Sequence, residues 1–303
     1  MERRSFLAGA AATAAAAGAA GLPKRKYRDG VNLSIIGFGG IVVVGMEQSE
    51  ANREVARSVD RGVNYFDVAP SYGKGEAEQK LGPALKPYRG NVFLACKTQR
   101  RDAAGARQEL EQSLSRLQTD HFDLYQFHAV SSMDDVERIL GPGGAAELFV
   151  KARQEGKVRY LGFSAHSAEA ALALMDRMEL DSVLFPVNYI LYAEGNFGPQ
   201  ILAKAKEKGM ARLALKALAE TRWPKGAPRT HKKTWYRPIS DPDRARQALR
   251  FTLSEDITAA IPPGDEGVYR MALDLAAGFQ PLNKAERAAL LASAKGIEPI
   301  FRA

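Results

Sequence analysis

From about Ser34 onward, short apolar, β-branched or aromatic runs alternate with longer segments whose apolar residues recur at helical spacing. Runs of four to eight such residues bounded by polar or glycine-containing stretches are the mark of buried strands, and a 3.6-residue recurrence marks helices. The pattern predicts strands at Ser34–Phe38, Val63–Phe66, Val92–Lys97, Phe122–His128, Val158–Phe163, Ser182–Val187, Ala211–Lys216 and Ile257–Ile261. Helices are predicted between them. One spans Ser49–Arg61 with Ser49 as its N-cap; another carries Leu110, Leu114 and Leu117 on one face; two more cover Ala168–Met178 and Gln200–Lys208. Eight strand–helix units in unbroken alternation predict an α/β chain folded as one (β/α)8 TIM barrel over residues 23–303. A doubly wound open sheet is the alternative, but Gly37, Gly39 and Gly40 lack the Gly-x-Gly-x-x-Gly spacing that its first turn requires.

The first 22 residues break the pattern. Arg3 and Arg4 precede an Ala/Gly-rich stretch that carries no charge until Lys24. Paired arginines before a weakly apolar run resemble a twin-arginine export signal, with a small-residue cleavage region near Ala17–Ala20. The expectation is a signal over residues 1–22 and a periplasmic or secreted protein; an Ala-rich surface helix or extension on a cytoplasmic protein is the alternative. Alanine is too feebly apolar for this run to serve as a membrane span.

Composition narrows the chemistry. With 46% hydrophobic and 26% charged residues, disorder and fibrous classes are excluded. The net charge of +8 is concentrated: Lys24, Arg25, Lys26 and Arg28 form one cluster, and six basic residues from Arg222 to Arg237 form another without a carboxylate between them. The rest of the chain is near neutral, which argues against a nucleic-acid partner. The second cluster lies in Thr221–Asp241, a segment with Trp223, Trp235 and Tyr236 that is too long for an ordinary connection. It is expected to be a functional loop following the seventh strand, as a lid over cofactor or substrate or as a solvated loop packed on the rim. Cys96 stands alone, so neither an internal disulfide nor a clustered cysteine metal site is expected.

In such a barrel the chemistry sits at the C-terminal ends of the strands. Asp67 ends the second strand, Tyr72 follows it, Lys97 ends the third and His128 the fourth. Singly, these are a helix cap, a loop tyrosine, a solvated strand end and a core histidine. Together they make a proton relay: a tyrosine hydroxyl protonates a developing alkoxide, an ammonium stabilises the phenolate, and a carboxylate holds the ammonium.

The stretches Phe66–Gly73, Cys96–Thr98, Asp123–His128 and Leu161–Ser164 resemble the aldo-keto reductases in order and spacing. The resemblance implies NAD(P)H-dependent reduction of an aldehyde or ketone, or the reverse oxidation of an alcohol. It makes Tyr72 the general acid, Lys97 and Asp67 its tuning pair, and His128 the group that positions the carbonyl. For the cofactor it implies Ser164 and Asn188 at the carboxamide, Leu215 against the nicotinamide, Lys216 toward a phosphate, and Pro263, Gly264 and Asp265 at the adenosine phosphate. The pattern departs from the family where Ala165, followed by His166, replaces an Asn, Leu184 a Gln and Leu215 an aromatic ring. Family habit leans slightly to NADP; the lack of a lysine at Pro263, with Asp265 beside it, leans to NAD unless Arg270 compensates. The expected partner is a small carbonyl or alcohol substrate, with no metal; the oligomeric state is open. A nicotinamide-binding sensor with little turnover and a sugar or polyol dehydrogenase remain as alternatives.

Overall fold

The computed structural model describes residues 21–303. The twin-arginine motif and the cleavage region lie outside the described residues. The chain first forms an antiparallel hairpin, β1 (Lys24–Arg28) and β2 (Val31–Ser34). Strand and helix then alternate: β3 (Phe38–Gly39), α1 (Gln48–Asp60), β4 (Tyr65–Asp67), α2 (Glu76–Leu85), β5 (Phe93–Thr98) and α3 (Ala103–Leu117). The series continues through β6 (Phe122–Val130), α4 (Met133–Leu140), α5 (Ala145–Gln154), β7 (Val158–Ala165), α6 (Ala168–Arg177), β8 (Ser182–Pro186), α7 (Tyr189–Glu194), α8 (Pro199–Glu207) and β9 (Ala211–Leu215). A small hairpin of β10 (Ala219–Arg222) and β11 (Tyr236–Pro238) precedes α9 (Pro242–Ser254), β12 (Ala259–Ile261), α10 (Glu266–Ala277) and α11 (Lys284–Ser293).

Strands β3 to β9 pair in chain order, β12 pairs with β9, and every neighbour is parallel. A parallel bridge between Ile36 and Ala260 joins the two ends, so the sheet closes into the expected (β/α)8 barrel.

All eight predicted strands are present. The first is divided: Ser34 ends the hairpin and only Phe38–Gly39 pair in the barrel. Ser34 and Asn64 exchange side-chain hydrogen bonds with each other's backbone N–H groups, at 2.7 and 3.1 Å, where a ladder would otherwise run. Helix α1 begins earlier than predicted. Its N-cap is Glu47, in a reciprocal capping box with Glu50, and Ser49 lies inside the helix. Leu22, assigned above to the leader, packs in the core at 5% exposure.

Side chains alternate across each strand, and this alternation divides the core. Tyr65, Phe93, Leu124, Tyr160, Leu184, Leu213 and Ala259 point inward and fill the barrel with Tyr27 and Leu33 of the hairpin, which plugs its N-terminal end. Phe66, Leu94, Tyr125, Leu161, Val183 and Ala260 point outward beneath the helices. Each large side chain removed from water contributes about 1.5–3 kcal/mol. Among the described residues no helix is long and apolar enough to cross a membrane.

Candidate active site

The same parity places the polar residues. Two positions beyond Tyr65 is Asp67; four beyond Phe93 is Lys97; beyond Leu124 come Gln126 and His128; beyond Tyr160 come Gly162 and Ser164. Each therefore faces the barrel interior at its C-terminal end, above the apolar plug. Asp67, Lys97 and Gln126 are fully buried. Tyr72 reaches the same point from the loop after β4, where Gly73, Lys74 and Gly75 take left-handed conformations in succession (φ 60°, 56° and 96°) and turn the chain back into α2.

Lys97 Nζ pairs with Asp67 Oδ1 and donates to the Tyr72 hydroxyl oxygen at 3.1 Å. The second Asp67 oxygen accepts from Gln126 Nε2 at 2.9 Å and from the Tyr65 hydroxyl at 3.3 Å. The His128 ring meets Tyr72 edge-on with 5.7 Å between centroids. The four residues expected to carry the chemistry are brought together. Gln126, Tyr65 and Arg101 were not anticipated. The signal for Gln126 was its inward parity; Arg101 holds the His128 carbonyl at 2.9 Å and the Ala129 carbonyl at 3.2 Å while pairing with Asp135, contacts that no local pattern encodes.

Titration behaviour follows from withdrawal from water. Burial pushes the Tyr72 phenol above its ordinary value, and the Lys97 ammonium opposes this only in part. Burial would lower Lys97, but Asp67 and then Tyr72 outweigh it and hold the ammonium charged. Burial, reinforced by Lys97, keeps His128 far below the ordinary imidazole value, so its ring is neutral. His166 is pushed down to about 4 by burial and Lys216. The arrangement is an acid held protonated beside a fixed cation and a neutral imidazole.

A cavity of about 220 Å³ opens onto this group, with Ser164, Leu184, Leu215 and Lys216 on one side, Gly39, Ile41 and Pro262–Gly264 on another, and Lys233–Tyr236 across the mouth. The long basic segment thus forms the β10–β11 hairpin and reaches over the site. Lys233 Nζ donates to the Val42 carbonyl at 2.8 Å and meets Glu266 at 2.5 Å. Of the residues expected to hold a nucleotide, Ser164, Leu215, Lys216, Pro263 and Gly264 line the cavity. Three are engaged elsewhere. Asn188 caps α7 through the Leu191 N–H and donates to the Lys216 carbonyl at 2.9 Å. Asp265 caps α10 by accepting from the Val268 N–H at 3.1 Å. Arg270 turns to the buried carboxylate of Glu54 and pairs with it, so it does not compensate for the missing lysine at Pro263.

The residues present suit a nicotinamide nucleotide. Ser164 Oγ accepts from the Ala129 N–H at 2.8 Å, which leaves its own proton free to donate to a carboxamide. Leu184 and Leu215 offer apolar faces to a flat ring, and the start of α10, with Lys233 beside it, offers N–H groups and charge to phosphate. Among the described residues, no three His, Cys, Asp or Glu side chains are grouped to hold a metal.

The sequence model of the Aldo/keto reductase family matches residues 35–248, and the chain belongs to that family. It is similar to the aldo-keto reductase YhdN of Bacillus subtilis, with 34% identity over 151 residues, 46% of this chain and 44% of that one. It is similar to L-galactose dehydrogenase of Arabidopsis thaliana, with 27% identity over 206 residues, 63% of each chain. The match thus spans about half of the first relative's length and under two-thirds of the second's. A solved aldo-keto reductase of Bacillus halodurans superposes with a TM-score of 0.71 at 24% identity, covering 92% of this chain and 98% of that one. At that identity the likeness is one of fold.

Proposed function

We propose that the protein is an NAD(P)H-dependent oxidoreductase that reduces an aldehyde or ketone. The observation that carries this is the Lys97 ammonium held 3.1 Å from the Tyr72 hydroxyl while Asp67 anchors it inside a cavity that His128 also lines. A bound nicotinamide nucleotide supplies the hydride that forms the new C–H bond at the carbonyl carbon. Tyr72 gives its proton to the carbonyl oxygen, and the phenolate left behind is stabilised by Lys97 until solvent reprotonates it. Neutral His128 donates a hydrogen bond that orients the carbonyl oxygen without competing as an acid. Trp235 and Tyr236 cover the mouth and restrict water.

On nucleotide choice, family habit favours NADP, whereas the local residues favour NAD: no lysine stands at Pro263 and Arg270 is taken by Glu54. Oxidation of a sugar or polyol uses the same residues in reverse, and the similarity to L-galactose dehydrogenase favours it as the second reading. Ala165, Leu184 and Leu215 are the motive for a sensor with little turnover; the intact tetrad weighs against it. The test is fluorescence titration with NADPH and NADH, followed by a panel of aldehydes, ketones and sugars. Binding with turnover supports the proposal, binding without turnover supports a sensor, and no binding of either nucleotide overturns both.

We also propose export through a twin-arginine signal at Arg3 and Arg4. A reporter fused to residues 1–22 is expected to lose export when both become Lys; unchanged export rejects the reading.

A further inference from the structure

Among the described residues, each cation lining the cavity has a carboxylate partner except one. Lys97 pairs with Asp67 and Lys233 with Glu266. Lys216 Nζ instead lies against two adjoining aromatic rings, 4.8 Å from the Tyr236 centroid and 5.4 Å from the Trp235 centroid. The Arg222 guanidinium also lies over the Trp235 ring, at 5.3 Å, and reaches the Ile300 carbonyl. Cation–π contact lowers the cost of withdrawing such an ion from water but does not neutralise it. Burial, and then Lys97, push the Lys216 ammonium down to about 8, the direction an anionic partner would reverse.

The backbone holds this side chain in place at a cost. Lys216 adopts φ 67°, a left-handed conformation that a residue with a Cβ rarely takes. Asn188 enforces it by donating to the Lys216 carbonyl at 2.9 Å and to the Ala219 carbonyl at 3.3 Å. A strained backbone, a dedicated amide clamp and an unpaired ammonium facing a cavity together describe a receptor for an anion. Two anions could meet it, a carboxylate on the substrate or the diphosphate of the nucleotide. Position separates them. Lys216 lines the cavity together with Tyr72, His128 and His166, at the catalytic end, and its Nζ lies over the Tyr236 ring there. The loop at Pro262–Gly264 is flanked by Lys233, whose charge Glu266 shares, and by the N–H groups at the start of α10.

We propose that Lys216 binds a carboxylate carried by the carbonyl substrate, so that the preferred substrates are oxo acids. This rests on the reading of the tetrad as a carbonyl-reducing site. The test compares glyoxylate, pyruvate and succinate semialdehyde with the neutral acetaldehyde, methylglyoxal and butanal, in wild type, Lys216→Met and Lys216→Arg. Lys216→Met is expected to lower kcat/KM for the acids roughly 10- to 100-fold more than for the neutral compounds, the effect of losing one hydrogen bond to a charged group. Lys216→Arg is expected to restore most of that preference. Wild-type preference for neutral carbonyls overturns the proposal. So does an equal loss on both classes with weakened NADPH and NADH binding, which assigns Lys216 to the diphosphate. If wild type reduces no carbonyl, the reductase reading itself fails. Calorimetric titration of the nucleotide-loaded protein with succinate then decides: binding in wild type and not in Lys216→Met supports the carboxylate receptor, and no binding in either overturns it.

Discussion

Gln126 Nε2 donates to Asp67 Oδ2 at 2.9 Å, on the carboxylate oxygen that Lys97 does not engage. The two oxygens of one buried carboxylate are thereby divided between an ion pair and a neutral clamp. That clamp sets the direction in which the carboxylate presents Lys97 to Tyr72.

Replacing Gln126 with Leu leaves Asp67 Oδ2 with the longer Tyr65 contact alone. The expected cost is about 1–3 kcal/mol in stability, as for a buried acceptor deprived of a partner. Turnover is expected to fall more than nucleotide affinity. Urea denaturation and steady-state kinetics on the same variant check both; an unchanged kcat removes Gln126 from any positioning role.

Lys97→Met leaves the Asp67 carboxylate buried without its cation, a change of about 3–5 kcal/mol. Combining it with Asp67→Asn is expected to recover most of the stability and none of the activity. A double-mutant cycle measures this; strict additivity would show that the pair does not act as a unit.

Tyr72→Phe removes the acid while keeping the ring against His128. Turnover is expected to fall ~100-fold or more with nucleotide affinity nearly unchanged. Wild-type-like turnover would take Tyr72 out of the mechanism.

The pH dependence follows from two directions of shift. Reduction needs Tyr72 protonated, and burial raises its pKa above the usual tyrosine value, so reductive kcat is expected to stay flat through neutral pH and fall only at strongly alkaline pH. Oxidation needs the phenolate and is expected to rise as pH increases. His128 is held neutral by burial and Lys97, so neither profile is expected to bend near the ordinary imidazole value of about 6.5. A bend there in kcat, abolished by His128→Asn, would contradict a neutral ring.

Glu54 holds Arg270 through its Nε–Nη2 edge. Glu54→Gln is expected to release that charge and shift the kcat/KM ratio toward NADPH over NADH by roughly 10-fold, about one charged hydrogen bond. Equal changes for the two nucleotides would place Arg270 away from the 2′-phosphate.

The strand and helix positions, the barrel class and the strand-end candidates Asp67, Lys97 and His128 were legible in the sequence because periodicity is a local property, whereas Tyr72, in the loop after β4, was legible through the motif around it. A strand's two-residue alternation decides which side chains share a face, and it marks Gln126 as inward-facing, although its hold on Asp67 was not anticipated. The division of the first strand was not, since it depends on Asn64 bonding with Ser34 across 30 positions. Arg270 shows the limit most clearly: its partner Glu54 lies 216 positions away, and no spacing rule joins them. The sequence alone determined which residues face inward at which end of each strand, because the backbone pleat permits only two choices. Tertiary structure alone decided which of those charges are matched. Closure of the ring brought Asp67 to Lys97 and Glu54 to Arg270, and it left Lys216 facing the cavity without a carboxylate, because pairing depends on distances set by the fold and not by order along the chain.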